Sequence, residues 1–513
     1  MDPTWLKLQN GSDVRGVALE GVEDEAVNLT PEILRSIGFA FAQWLAEKKG
    51  KPASELKVAV GHDSRLSADM VKTAVSQGLD KAGCAAIADS GLSSTPAMFM
   101  ATVFENHAFD GSIMLTASHL PFNRNGLKFF TRDGGLGKAD IKQILTIATE
   151  VGVFDAIECS PSSGLRAGRV QKIELMDDYA ASLVSNIRKG AGQGAAPLAG
   201  LKIVVDAGNG AGGYFVDKVL APLGADTSGS QFLDPDGSFP NHIPNPEDPD
   251  AMEAIIAAVK NKGADLGIIF DTDVDRAGAV DKNGAPINRN RFIALMASIV
   301  LEEHPGSVIV TDSVTSTGLK YWIEEKLGGV HHRFKRGYKN VINESVRLNG
   351  EGKESWLAME TSGHGALKEN YFLDDGAYQI AKILIKAAQL HAAGEGGVEG
   401  LVAGLPEPAE AEEYRAKIMT EDFGAVGDDV LKAFAQFVAD DPGWSATPNN
   451  FEGVHVTVDA EHGNGWALLR KSLHDPVLPL NIESEEVGGV AKIAVRIQAF
   501  LGQFDSLDVP SMA

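Results

Sequence analysis

Residues 266–276 read Leu266-Gly-Ile-Ile-Phe-Asp-Thr-Asp-Val-Asp-Arg276. Five apolar or small residues form a short buried-strand pattern, and three carboxylates follow at alternate positions. The same grammar recurs along the chain. Leu-Lys-Val-Ala-Val (56–60) runs into Gly61, Ser-Ile-Met-Leu (112–115) into Thr116, and Leu-Lys-Ile-Val-Val (201–205) into Asp206. Ser-Val-Ile-Val (307–310) precedes Thr311, and Trp-Leu-Ala-Met (356–359) precedes Glu360. Helical patterns lie between these strands at 31–48, 139–150, 251–261, 290–303 and 375–390. Strands alternating with helices predict an α/β fold with mixed, largely parallel sheets. The 56–60 segment is echoed at 201–205 and more loosely at 307–310, which points to three similar α/β domains in tandem.

At 513 residues the chain is too long for one core, and length alone favours three or four domains. Two composition shifts read as linkers, Lys189–Gly200 and Gly394–Glu413. The predicted domains are 1–192, 200–304, 305–408 and 411–513, the last a smaller α+β domain with a helix at 427–439 and strands at 453–458 and 465–469. A net charge of -24 argues against non-specific nucleic-acid binding. Cys84 and Cys159 alone make no disulfide framework and fit a reducing compartment. No apolar run is long enough to span a membrane, and no signal peptide is visible. A cytoplasmic setting is expected, or a plastid stroma if a transit peptide has been removed.

In parallel sheets, ligands gather beyond the carboxyl ends of strands, and each candidate motif sits at such an end. Asp271, Asp273 and Asp275 offer three hard oxygen ligands suited to Mg²⁺. An EF-hand is excluded, because its sixth position holds Arg276 instead of Gly and its twelfth holds Lys282 instead of Glu. Ser118, in Thr116-Ala-Ser-His-Leu-Pro121, offers a hydroxyl just past a strand. A nucleophilic serine and a divalent-cation cage are what metal-assisted phosphoryl transfer through a phosphoserine needs. Gly208-Asn-Gly-Ala-Gly-Gly213 fits a dinucleotide-binding pattern, but reads better as a glycine-permitted strand-to-helix turn. Glu360-Thr-Ser-Gly-His364 offers Glu360 and Ser362 for sugar hydroxyls and His364 for phosphate or a proton. Arg470, Ser472 and His474 would suit a phosphate dianion. Arg15 and Lys128 are further cationic candidates.

In this order and spacing the motifs resemble the α-D-phosphohexomutase superfamily over nearly the whole chain. Residues 116–121 look like its phosphoserine loop, 271–276 like its Mg²⁺ loop and 360–364 like its sugar-recognition loop. The resemblance implies three related α/β domains and a C-terminal domain around a central cleft. It implies that Ser118 carries a phosphate, and that Asp271, Asp273, Asp275 and a phosphoserine oxygen hold Mg²⁺. Arg276 would contact the transferring phosphate. Glu360 and Ser362 would bind sugar hydroxyls, and Arg15, Lys128 and His364 would assist phosphate handling or proton transfer. Arg470 and Ser472 would grip the distal phosphate, with His474 standing where the family has Thr. The loop Phe334-Lys-Arg-Gly-Tyr-Lys339 departs from the family in its extra positive charge, and Lys339 is a candidate substrate contact. The implied reaction interconverts hexose 1-phosphate and hexose 6-phosphate, of glucose or mannose, with a hexose 1,6-bisphosphate as intermediate and activator. A bisphosphate synthase, a phosphoglucosamine mutase and a non-catalytic sugar-phosphate binder are the alternatives. A monomer or homodimer is expected, acting on a phosphorylated hexose without nucleic-acid or membrane partners.

Overall fold

The structure is a computed structural model that describes residues 3–154, 170–472 and 475–512. The chain forms two compact units, Met1–Asn288 with Ser362–Gly400, and Arg289–Thr361 with Leu401–Ala513. Among the described residues, no helix is long and apolar enough to cross a membrane.

In the first unit, strand Lys57–His62 lies between parallel neighbours Ala86–Leu92 and Gly111–Leu115. Strand Arg124–Thr131 then runs antiparallel to Gly111–Leu115 and to Asp13–Val17. The parallel centre is apolar on both faces, as strands covered by helices must be, and Gly111–Leu115 is buried throughout. Helix Pro31–Lys49 covers it with Leu34, Ile37, Phe41 and Leu45 fully buried.

A second sheet in this unit pairs Ile203–Asp206 in parallel with Leu266–Phe270. Ala277–Asp281 continues it antiparallel, followed by Pro286–Ile287. The sheets are thus parallel at their centres and antiparallel at one flank. The reason in the second sheet is local: residues 271–276 turn the chain straight back beside the strand it left, and only antiparallel neighbours permit so short a connection. Helix Pro249–Lys262 shows how the sequence sets its own limits. Asp248 accepts hydrogen bonds from the amides of Asp250 and Ala251 at 3.1 Å, Pro249 fits the first turn, and Gly263 ends the helix with φ 60°. All five predicted helical patterns are helices, Pro31–Lys49, Lys138–Val151, Pro249–Lys262, Arg289–Glu303 and Gly376–Ala393.

In the second unit, Val308–Thr311 lies between parallel strands Val330–Arg333 and Ser355–Met359. A separate sheet is wholly antiparallel, with Trp444–Ala446, Val454–Val458, Gly465–Leu469, Val477–Ser484, Glu410–Ile418 and Leu507–Asp508 in spatial order. Helices Phe423–Ala439 and Gly489–Leu501 close its core around Phe434, Trp444, Leu480 and Ile497. Here the sequence reading falls short. The stretch Gly394–Glu413, expected as a linker, ends inside strand Glu410–Ile418, whose charged residues hide its period because only Ala416 and Ile418 are buried.

One ion pair ties the excursion after Ile203–Asp206 to that strand. His242 has one ring nitrogen 2.9 Å from the Ile243 carbonyl and the other 3.1 Å from both oxygens of Asp206. Both nitrogens face acceptors, which the imidazolium satisfies. Burial alone would lower the His242 pKa, but the hydrogen bond and charge of Asp206 raise it above the ordinary value. The stabilisation is therefore complete below about pH 6.5 and is lost as pH rises through the raised folded-state value. His242→Gln is expected to cost about 1–3 kcal/mol near pH 6 and less near pH 9. Unfolding midpoints of parent and variant that stay equally far apart across that range would refute the charged pair.

Candidate active site

Ser118 stands in the loop that joins the antiparallel strands Gly111–Leu115 and Arg124–Thr131. It is buried and holds a left-handed backbone, φ 51°, which is unusual outside glycine. The Thr116 hydroxyl accepts from the Ser118 amide at 2.9 Å. Beneath the loop, Arg65 donates to four of its carbonyls: Ser118 at 2.5 Å, Leu120 at 2.6 Å, Pro121 at 2.8 Å and Arg124 at 2.9 Å. Asp63 fixes Arg65 in turn, accepting from its amide at 3.0 Å and facing Nε at 3.4 Å. Both come from Gly61-His-Asp-Ser-Arg65, at the carboxyl end of the central strand.

The three aspartates lie in the loop between Leu266–Phe270 and Ala277–Asp281, not on a regular strand. Val274, with φ 66°, makes the sharp turn. One oxygen from each of Asp271, Asp273 and Asp275 lies within 4.8 Å of the others, and all three residues are buried. Gly210 shows what the glycine-rich turn is for. A Cβ there would come within 2.6 Å of the Thr272 carbonyl, which accepts from the Ala211 amide at 2.8 Å. The turn buttresses the acidic loop.

The serine and the acidic loop meet directly. The Ser118 hydroxyl donates to Asp271 Oδ2 at 3.1 Å and accepts from Arg276 Nη2 at 2.8 Å. Arg276 also binds Asp271 Oδ2 through Nε at 3.1 Å and donates to His119 Nδ1 at 2.6 Å. Burial, then the charges of Arg276 and Arg15, hold His119 down to about 2, so its ring is neutral and can accept. Lys128 pairs with Asp275 and lies 3.2 Å from Asp273 Oδ2, whose carboxylate also accepts from the Thr95 hydroxyl at 2.5 Å. Arg15 pairs with Asp13 at 3.1 Å and reaches the Ala117 carbonyl at 3.4 Å. His364 Nδ1 lies 2.6 Å from Asp374 Oδ2 and 3.9 Å from Asp275 Oδ1. Burial alone would lower His364, but the charges of Asp374 and Asp275 push it up to about 9.

The donor set fits a hard divalent cation. Burial and the neighbouring Asp275 push the Asp271 pKa well up. Burial acts the same way on Asp275, but Lys128, His364 and Arg276 hold it below the ordinary range. Asp273 Oδ1 and Asp275 Oδ1 are buried, with no hydrogen-bond partner among the described residues. Three converging carboxylates, two of them with an unshared oxygen, suit a hard divalent cation that offsets their mutual repulsion.

Of the remaining predicted residues, Ser362 belongs to the first unit, and its buried hydroxyl has no hydrogen-bond partner among the described residues. Glu360, Lys339, Arg470 and Ser472 belong to the second unit. There Glu360 accepts from the Gly337 amide at 2.6 Å. Lys339 lies in the first turn of helix Tyr338–Gly350. Arg470 is buried, its Nε without a hydrogen-bond partner among the described residues, and the Ser472 hydroxyl accepts from the Asp475 amide at 3.2 Å. His474 lies outside the described residues. The sequence reading missed Arg65, Asp63, Thr95, Asp374 and Asp312, the last of which accepts from the Thr361 hydroxyl at 2.7 Å. A signal for the first two was available, since Gly61–Arg65 follows a strand as the other motifs do.

Models of phosphoglucomutase/phosphomannomutase α/β/α domains I, II and III match residues 6–152, 177–284 and 288–395. The chain belongs to this family. A phosphomannomutase/phosphoglucomutase of Pseudomonas putida is 32% identical over 483 residues, covering 94% of this chain and 92% of that protein. A phosphoglucomutase of Neisseria meningitidis is 29% identical over 490 residues, covering 95% of each. A phosphoglucomutase/phosphomannomutase family protein from Burkholderia thailandensis has a solved structure that superposes with a TM-score of 0.77 at 27% identity, covering 98% of both chains.

Proposed function

We propose that this family member interconverts the 1- and 6-phosphates of glucose and mannose through a phosphate carried on Ser118. The observation that carries this reading is the Ser118 hydroxyl held at 3.1 Å from Asp271 in the acidic triad and at 2.8 Å from Arg276. A hexose hydroxyl attacks the phosphorus, a new P–O bond to the sugar forms, the P–Oγ bond to Ser118 breaks, and the proton lost by the sugar hydroxyl is balanced by one gained at Ser118 Oγ. The product is a hexose 1,6-bisphosphate. After that sugar reverses its orientation, Ser118 takes back the other phosphate.

The chain's own groups serve this exchange. Arg276 keeps an N–H on Ser118 Oγ, the oxygen on which charge develops as it leaves. Lys128 and Arg15 add positive charge beside the loop, and His364, held protonated by Asp374, can give or return a proton. Asp271, Asp273 and Asp275 would hold Mg²⁺, which when bound withdraws charge from the transferring phosphoryl group. Glu360 and Ser362 supply acceptors for sugar hydroxyls, and Arg470 and Ser472 supply donors for the phosphate that does not react. Hexose 1,6-bisphosphate would act as activator by restoring phosphate to Ser118.

The test is a coupled assay with glucose and mannose 1-phosphates, Mg²⁺ and a trace of the matching bisphosphate. Chelation is expected to abolish turnover, and Asp273→Asn to lower it by at least about 10²-fold. Full activity in excess chelator would refute the metal assignment.

A further inference from the structure

The second unit contains a cavity of about 440 Å³ that the phosphoryl exchange does not use. It is bounded by strand Val330–Arg333, by the helical segment 317–326 and by the turn 447–451. Its volume falls in the range of small-molecule sites, about 300–1,000 Å³.

Arg333 is the informative residue on its wall. The guanidinium donates to the Thr315 hydroxyl at 3.2 Å and the Ser316 carbonyl at 3.1 Å, and meets His455 Nε2 at 3.4 Å. All of these partners are neutral. Burial and Arg333 itself hold His455 down to about 3, and burial holds His331 well below its ordinary value. Among the described residues no carboxylate lies within ion-pair distance of Arg333; Glu483, Asp312 and Glu324, the last on the cavity wall, act on its charge from farther away. A partly buried guanidinium whose carboxylates all stand off at a distance leaves room for an anion to pair with it directly. Lys320 adds a second cation to the same wall, only 3.9 Å from Glu324 and more than half exposed. The cavity is also lined by Phe334 and Phe451, whose rings pack at 5.0 Å, and Phe451 remains partly exposed.

We propose that this cavity is an accessory anion site for a phosphomonoester. Arg333 and Lys320 grip the phosphate, and Phe451 packs against the organic part. The site also touches the loop at 334–339. Ser313, on the cavity wall, donates to Glu452 Oε2 at 2.5 Å, and the same oxygen accepts from the Arg336 amide at 3.1 Å. Next along the chain, the Gly337 amide donates to Glu360 at 2.6 Å. Occupancy therefore bears on the segment that positions Glu360. This coupling rests on the sugar-binding assignment of Glu360; the binding itself does not.

The experiment is titration calorimetry on the full chain carrying Ser118→Ala, with inorganic phosphate, AMP and glucose 1,6-bisphosphate as separate probes. Two binding events per chain are expected for at least one organic probe. Arg333→Gln is expected to weaken one event at least tenfold and leave the other unchanged. Because Arg333 also anchors 315–316, Lys320→Ala and Phe451→Ser provide variants at exposed positions, each expected to weaken the same event at least threefold. AMP binding more tightly than inorganic phosphate at the affected event identifies a nucleotide site; the bisphosphate binding more tightly than AMP identifies a sugar-phosphate site. Unchanged stoichiometry and affinity for every probe in all three variants would overturn the proposal, whatever becomes of the mutase reading.

Discussion

Ser118→Ala is expected to lower hexose phosphate interconversion by at least about 10⁴-fold while leaving hexose phosphate affinity within a few-fold. The substitution removes one atom, the oxygen that lies between Arg276 and Asp271. It leaves the loop otherwise intact, since Arg65 grips backbone carbonyls and the Thr116 hydroxyl grips the amide. The left-handed φ of 51° is uncomfortable for serine and alanine alike, so the folding cost stays near about 1 kcal/mol. Two readouts separate chemistry from binding. Turnover is followed in the coupled assay, and calorimetry follows glucose 6-phosphate. Incubation with radiolabelled hexose 1,6-bisphosphate should label the parent and not the variant. Label retained by the variant, or turnover within tenfold of the parent, would remove Ser118 from the chemistry.

How far the sequence foretold this site depended on where the chemistry is written. The acidic triad is written in side chains, three carboxylates at alternate positions beyond a buried strand, and the EF-hand test needed only Arg276 and Lys282. Gly210 was legible as a turn residue, but its reason was not, because the atom it makes room for is the backbone carbonyl of Thr272, far along the chain. Asp374 escaped notice for a related reason. It reaches His364 only because strands Gly365–Leu367 and Leu373–Asp374 fold back in antiparallel register, and nothing local marks it. In the fold, helices announced themselves through their period, and buried strands through continuous apolar runs. Strand Glu410–Ile418 did neither, since it is mostly exposed and draws its order from its partner Val477–Ser484.

Arg65 is where this limit matters most, and the second large effect is expected there. Arg65→Met is expected to destabilise the first unit by about 3–5 kcal/mol. Methionine fills much of the volume, but the carbonyls of Ser118, Leu120, Pro121 and Arg124 lose their donor inside a site where water has little access. Asp63 loses the counter-charge of Arg65 at the same time. Burial already pushes Asp63 up to about 6, with Arg65 pulling the other way. A carboxyl whose folded-state pKa is raised stabilises the fold at low pH and ceases to do so as pH rises through that value. Without Arg65 the value climbs further, so the variant's deficit should widen above about pH 6 and narrow below it. Chemical denaturation at several pH values measures this directly, and Arg65→Met with Asp63→Asn should recover part of the loss at neutral pH. Arg65→Lys should not recover it, because one ammonium cannot fork to four carbonyls as a guanidinium does. Where the fold survives, kcat should fall more than affinity, since the loop that presents Ser118 to Arg276 loses its floor while the groups proposed to bind the sugar keep theirs. A deficit that is the same at every pH would mean that Asp63 is not held charged by Arg65, and the pairing beneath the serine loop would have to be redrawn.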